Sequence, residues 1–140
     1  CWVKCIDATA KPGSSTNLDI TATAEIWSTP LERHTMSTAA VYNGLVFVSD
    51  CAKLIHCLDA KTGKELWTHE LGGEIWASPY VADGKIYLGS RRGDLWVFAA
   101  TPEKKILSTI DLKAPISSTT TAANGTLYIS TMTHLYAVTK

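Results

Sequence analysis

The chain has 140 residues, 46% of them hydrophobic, which suits one ordinary domain with a core of its own. Its 13 basic and 13 acidic residues cancel, which argues against nucleic acid or an anionic membrane surface as a partner. No apolar run reaches the roughly 18 residues that a membrane-spanning helix needs.

The first segment of the chain is repeated later in the sequence. Val3–Ala8 (VKCIDA) matches Ile55–Ala60 (IHCLDA), which aligns Asp7 with Asp59. Asp7 and Asp59 are 52 residues apart, whereas the repeat found later in the chain is about 40 residues long. About a dozen residues are therefore inserted into the first unit. We place the insertion at Lys11–Thr23, whose Pro, Gly, Ser and Thr content predicts an exposed loop.

Three Asx-Gly dipeptides mark a repeat of about 40 residues: Asn43-Gly44, Asp83-Gly84 and Asn124-Gly125. Both central residues of a type I′ turn need φ > 0, which these dipeptides tolerate, so each predicts a β-hairpin. An apolar strand without polar alternation follows each turn, which predicts that both faces of the sheet are covered. These strands are Val46–Val48, Ile86–Leu88 and Leu127–Ile129.

A third and a fourth strand complete each unit. The fourth strand ends on Trp67, and the residues at the same position one repeat away on either side are Trp27 and Leu107. No segment carries an apolar stripe of 3.6-residue period, so we expect few helices. Four short strands in each repeat unit are typical of a β-propeller blade. The third strands of the units are Leu54–Leu58, Asp94–Phe98 and His134–Val138.

The sequence therefore predicts an all-β, partial β-propeller of about three four-stranded antiparallel blades in a single domain, 1–140. Because a propeller ring needs about four to eight blades, we expect the chain to be the C-terminal part of a larger propeller. Alternatively, copies of the chain complete one another, with the strand that carries Trp27 finishing a neighbour's open blade. The predicted divisions are 1–34 (the end of one blade and the inserted loop), 35–70 and 75–111 (full blades) and 112–140 (three strands of a further blade).

The segment Asp59–Trp67 (DAKTGKELW) resembles the tryptophan-docking motif of PQQ-like (quinoprotein-like) β-propeller repeats, with Cys57 replacing an alanine of that motif. Trp76–Ser90 resembles the first two strands of the same repeat, and the resemblance covers nearly the whole chain outside the inserted loop. It implies that each tryptophan packs between blades and that local hydrogen bonds hold the turn. The residues with these implied structural roles are Asp7, Trp27, Asp59, Thr62, Gly63 and Trp67.

The second full blade departs from this motif. It has Ala99 in the place of Asp59, a different turn at 101–103, and Leu107 in the place of the tryptophan. A buried tryptophan covers ~200 Å² and contributes several kcal/mol, so we predict weaker docking for this blade.

Short hydroxyl side chains recur five and six residues before each turn dipeptide, on the predicted innermost strands. Because innermost strands line the central channel of a propeller, these hydroxyls could bind a ligand or water, or simply fit a narrow bore. Two larger side chains one step further out could flank the channel mouth or pack in the core. The candidate channel residues are Ser37, Thr38, Ser78, Ser118 and Thr119, with Met36 and Trp76 at the mouth.

The remaining candidates for chemistry are few. Arg91 and Arg92 lie in a polar turn and could contact an acidic partner, whereas the Arg92-Gly93-Asp94 tripeptide is explained by the turn itself. The four histidines lack metal-ligand spacing, and no motif places a nucleophile in a Ser-His-Asp triad. We therefore predict no catalytic or metal-binding residue, and a packing role for His56.

The resemblance implies two functional classes. PQQ-dependent dehydrogenases need PQQ, a calcium site of Glu, Asn and Asp, and adjacent cysteines. This sequence has neither adjacent cysteines nor such a cluster, so we expect no cofactor unless an intact propeller supplies its site. A non-catalytic scaffold that binds a protein or a small ligand is the first hypothesis, with a dehydrogenase fragment and a self-associating assembly protein as alternatives. Partners are then a protein, missing blades or further copies, and the resemblance implies a bacterial, periplasmic or extracellular location.

Overall fold

The computed structural model describes residues 1–13 and 19–139. Within these ranges the chain forms thirteen strands and one helical turn. The elements in chain order are β1 (Trp2–Ile6), α1 (Thr21–Ala24), β2 (Glu25–Pro30), β3 (Ala40–Tyr42), β4 (Leu45–Ser49), β5 (Leu54–Asp59), β6 (Glu65–Glu70), β7 (Tyr80–Ala82), β8 (Lys85–Gly89), β9 (Asp94–Ala99), β10 (Ile106–Asp111), β11 (Thr121–Ala123), β12 (Thr126–Ser130) and β13 (Leu135–Val138).

The strands form four separate antiparallel sheets, each made of consecutive strands. We call β1–β2 the first sheet, β3–β6 the second, β7–β10 the third and β11–β13 the fourth. The second and third sheets have four strands each in simple up-and-down order, and β3 contacts β7 of the next sheet. The predicted all-β, partial propeller with four-stranded antiparallel sheets is confirmed.

The predicted hairpin turns are present, with the backbone geometry that their sequences favour. Asn43 has φ 46° and Gly44 has φ 76°, and the other two dipeptides are equally left-handed at both positions. Each turn joins the first two strands of a sheet, so the three turns lie at corresponding ends of the second, third and fourth sheets. The Asx-Gly spacing therefore locates each innermost hairpin correctly.

The core lies in the seams between successive sheets, not within one large interior. The first seam (first against second sheet) buries Val46 and Leu58 among others, and the second seam (second against third) buries Phe47 and Phe98 completely. The third seam (third against fourth) contains a smaller cluster centred on Ile116. The central strands of the second and third sheets are thus covered on both faces, as their unbroken apolar sequences predict, whereas β12 of the fourth sheet is covered on one face only within the described residues.

One predicted strand end needs correction, and two predicted segments extend outside the described residues. The predicted exposed loop Lys11–Thr23 includes residues 14–18, which lie outside the described residues, and its last residues belong to the single turn of α1. The fourth strand of the second sheet does not end on Trp67 but continues to Glu70, because Trp67 to Glu70 pair with Cys57 to Leu54. The last predicted segment, 112–140, has its third strand at Leu135–Val138, and Lys140 lies outside the described residues.

Candidate functional site

Two tryptophans tie successive sheets together across the seams. The indole Nε1 of Trp27, on β2, donates to the carbonyl of Ala60 at 3.0 Å, and that of Trp67, on β6, donates to Thr101 at 3.1 Å. Trp67 is 7% exposed and stacks on Phe98 of the next sheet with ring centroids 5.7 Å apart. Each indole thus combines a large buried area with one satisfied polar group, which makes it an effective lock between sheets.

The turn that receives Trp27 is built by its own side chains. The Asp59 carboxylate accepts hydrogen bonds from the backbone N–H and the hydroxyl of Thr62, both at 2.8 Å, and these bonds lower the pKa of Asp59. Gly63 then adopts φ +69°, and a Cβ there would lie 2.4 Å from Cε3 of Trp27. Asp7 of the first sheet accepts similar bonds from Thr9, which lower its pKa in the same way.

The third seam lacks an indole, and the residue at the docking position is not the one that sequence spacing selects. Trp67 pairs with Cys57, whereas the residue that pairs with the corresponding Val97 is Ser108. Leu107, which lies one repeat length after Trp67, sits in the bulge between Ile106 and Ser108 and is 43% exposed. The assignment of Leu107 as the counterpart of Trp67 is therefore wrong by one residue, because the turn before β10 is one residue longer.

We call the side of the sheets formed by their first strands, β3, β7 and β11, the inner edge. Three of the predicted channel hydroxyls form hydrogen bonds between sheets along this edge. The Oγ of Ser78 accepts hydrogen bonds from the backbone N–H of Thr38 at 2.9 Å and from the Thr38 hydroxyl at 3.0 Å. In turn, the Oγ1 of Thr119 accepts a hydrogen bond from the N–H of Ser78 at 3.1 Å. Three residues at equivalent repeat positions thus link the second, third and fourth sheets.

The neighbouring hydroxyls serve their own sheets instead. Ser37 donates to the carbonyl of Ser49 at 3.1 Å, and Ser118 donates to the carbonyl of Ser130 at 3.3 Å. Sequence reasoning missed Ser49, whose hydroxyl lies 2.8 Å from that of Ser37. Its position at the end of an apolar strand is the signal that could have identified it, since a buried hydroxyl needs a partner.

Two large side chains are exposed in the segments that lead into β3 and β7, the first strands of the second and third sheets. Met36 is 56% and Trp76 37% exposed, and neither belongs to a core cluster. The guanidinium of Arg91 lies over the Trp76 ring, 4.0 Å from its centroid, and donates to the Ser117 hydroxyl at 2.9 Å. Because Ser117 belongs to the segment that leads into the fourth sheet, Arg91 bridges two sheets. We call Met36, Trp76, Arg91 and Arg92 the rim.

Arg92 is the most solvent-exposed cation of the rim, with 71% of its side chain accessible. Its Nε is 3.9 Å from the carboxylate of Asp94, which is itself only 19% accessible. Gly93, between them, adopts φ 107°, a value that suits glycine. The Arg92-Gly93-Asp94 tripeptide is thus a compact turn whose aspartate faces its own arginine.

The buried His56 has a carboxylate near each of its two ring nitrogens, in addition to the packing role that the sequence predicts. His56 lies with Nδ1 2.8 Å from a carboxylate oxygen of Glu65 and Nε2 3.4 Å from one of Asp50, which is fully buried. Asp50 also accepts backbone N–H groups of the following turn. Next to it, Cys57 is a fully buried free thiol, and burial raises its pKa to about 12. This group joins β5, β6 and the turn between β4 and β5.

Within 1–13 and 19–139, no three His, Cys, Asp or Glu side chains converge in a way that could hold a metal ion. In the same part of the chain, no helix is both long and apolar enough to cross a membrane.

The stacked four-stranded sheets, their tryptophan locks and the Asp-Thr-Gly turn define a β-propeller of PQQ-like repeats. The chain belongs to the PQQ-like repeat family described as outer membrane protein assembly factor BamB, whose family model matches residues 13–104. No curated protein sequence matches the chain significantly.

Solved structures share the fold at low sequence identity. BamB from Moraxella catarrhalis superimposes with a TM-score of 0.72 at 22% identity, over 82% of this chain and 36% of that one. The quinohemoprotein alcohol dehydrogenase ADHIIG from Pseudomonas putida HK5 gives a TM-score of 0.64 at 20% identity, over 74% and 17%. The quinohemoprotein alcohol dehydrogenase of Comamonas testosteroni gives 0.59 at 21%, over 69% and 17%. The chain thus spans about a third of the BamB structure and a sixth of each dehydrogenase.

Proposed function

We propose that the chain is part of a non-catalytic propeller scaffold and that its rim binds an acidic segment of a protein partner. The observation that carries the proposal is the placement of Arg91, held between the Trp76 ring and Ser117. A guanidinium has five N–H donors and suits bidentate binding of a carboxylate, and fixing it in advance lowers the entropy lost on binding.

The composition of the rim supports a protein partner over a small substrate. It combines an exposed methionine, a half-exposed tryptophan and two arginines, and aromatic, Met and Arg side chains are enriched in protein interfaces. The inner-edge hydroxyls, by contrast, are engaged in bonds between and within the sheets. The family description refers to an assembly factor for outer membrane proteins, which supports a protein-binding role and a location in the bacterial cell envelope, periplasmic or extracellular.

A synthetic glutamate-rich peptide, titrated into the chain and followed by calorimetry, tests the rim. We expect Arg91→Ala to weaken binding by about tenfold, since a pre-oriented charged contact contributes on the order of 1–2 kcal/mol. Arg92→Ala should have a smaller effect, because its side chain is solvated. Lys85→Ala, which removes one positive charge at the opposite end of the same sheet, is the matched control. Equal losses for Arg91→Ala and Lys85→Ala would contradict the proposal, as would no peptide binding.

A second experiment separates the scaffold from the dehydrogenase alternative. PQQ and calcium are added to the intact propeller, and thermal stability and dye reduction are measured. The scaffold predicts neither stabilisation nor PQQ-dependent dye reduction. Either effect at stoichiometric PQQ would favour the enzyme.

A further inference from the structure

The third seam contains an apolar groove of about 730 Å³. The third sheet provides one wall and the fourth sheet the other, and both walls consist mainly of apolar side chains, with Asp83, Asn124, Thr126 and Thr139 also in the lining. The main contributors are Tyr87, Val97 and Ile110 on one side and Leu127, Ile129 and Val138 on the other.

The two preceding seams show what occupies this place when the motif is complete. There the residues that pair with Cys5 and Cys57 are Trp27 and Trp67, and both rings pack against the next sheet. In the third seam the residue at this position is Ser108, and its neighbour on the same face, Ile110, lines the groove. The part of the groove next to Val97 and Ile110 thus lies where an indole lies in the other two seams.

The chemistry of the walls sets the class of ligand. The groove is open to solvent, so a small apolar molecule that covers its walls would remove exposed apolar surface from water, which favours binding. In both filled seams the indole N–H donates to a carbonyl of the turn after the third strand. Thr139 directly follows β13, the third strand of the fourth sheet, and lines the groove, so one polar residue is available at that end.

We propose that the groove of the third seam is a binding site for a small planar aromatic molecule of indole size that carries one N–H donor. This site is separate from the rim and goes beyond the scaffold function proposed above.

Indole itself is the probe, titrated into the 140-residue chain and followed by amide chemical shifts in heteronuclear NMR spectra. We expect saturable shifts that cluster at Val97, Ile110, Leu127 and Val138. The variant Ser108→Trp supplies the absent ring and should weaken indole binding at least about tenfold. Leu107→Trp adds the same side chain one residue earlier, in the exposed bulge, and should leave the affinity within about twofold.

Three results would overturn the proposal: no saturation up to the solubility limit of indole, shifts that cluster elsewhere, or equal effects of the two variants. If Ser108→Trp does not fold, Val138→Trp blocks the groove from the opposite wall and takes its place. The shift map of the unmodified chain decides the location in either case.

Discussion

The second and third seams join the same kinds of sheet and differ in how well they are filled. In the second, Trp67 is almost fully buried, and Phe47 and Phe98 on either side of it are completely buried. In the third, Ile110 is 44% and Val138 49% exposed, with the groove between the two walls. The difference teaches that strand pairing alone does not close a seam in this fold, and that a single indole per repeat decides the packing.

The cause of the difference is a change in one turn. The second sheet uses Asp59, Thr62 and Gly63 to build the turn before its fourth strand. The third sheet has one more residue there and a serine at the docking position, and its fourth strand, β10, is exposed along its whole length. Loss of the motif and loss of the lock thus occur together.

The largest expected effect comes from making the second seam like the third. Trp67→Ala should lower the free energy of unfolding by about 3–5 kcal/mol, because it removes a large ring between two fully buried phenylalanines and the surroundings relax only partly into such a cavity. Urea unfolding followed by circular dichroism measures the change. Trp27→Ala is the comparison: Trp27 is only half-buried, so its loss should cost less. A loss below about 1 kcal/mol for Trp67→Ala would contradict the role of the indole.

Filling the close contact in the first seam should have the next largest effect. Gly63→Ala places a Cβ against the ring of Trp27 at a positive φ, and we expect a loss of about 2–3 kcal/mol from strain and overpacking together. Gly44→Ala is the matched control, because Gly44 has φ +76° but open space around the new Cβ. The difference between the two variants in thermal unfolding isolates the contact, and equal losses would show that only backbone strain matters.

Breaking one bond of the inner edge should have a smaller effect. Ser78→Ala removes the acceptor of the Thr38 N–H and hydroxyl, which we expect to cost about 1 kcal/mol and to speed hydrogen exchange of the Thr38 amide. Ser118→Ala removes a bond within one sheet and should leave that exchange rate unchanged. Unchanged exchange in Ser78→Ala would exclude a link between the sheets at this point.

The smallest effect is expected at the docking turn, and it depends on pH. Since hydrogen bonds from Thr62 lower the pKa of Asp59 in the folded chain, its stabilisation is complete above about pH 4 and is lost as the pH falls through the lower, folded-state value. The stability difference between the unmodified chain and Asp59→Asn should therefore shrink on acidification. Thr62→Ala removes the largest cause of the shift and should flatten this dependence. Parallel pH profiles for all three would contradict the assignment.

The fold followed from local signals in the sequence. Asn43-Gly44 and its two counterparts specify turns that few other dipeptides allow, and the strands after them carry no polar face, so hairpins stacked on both sides were the consistent solution. The tryptophan contacts across the first two seams followed from the resemblance, because the motif around Trp67 is nearly complete.

The docking residue of the third seam and the contacts of Arg91 and His56 could not be predicted, because they depend on how the strands pair and not on a fixed spacing in the sequence. One extra residue in a turn moved the docking position from Leu107 to Ser108, and this became visible only through strand pairing. The stacking of Arg91 on Trp76 joins two loops that are distant in sequence, and the carboxylates around His56 come from separate elements. These residues are not related by any repeat spacing. The sequence could therefore identify some of them as candidates, but it could not predict that they are in contact.

The direction of the indole bonds has a consequence for synthesis of the chain. Trp27 and Trp67 donate to carbonyls 33 and 34 residues downstream. At a translation rate of about 5–20 residues per second, each ring therefore waits about 2–7 seconds for its acceptor to be made. The strands of each sheet can pair while the next sheet is still being synthesised. The indole contact between two sheets would then form only after the later sheet has been made.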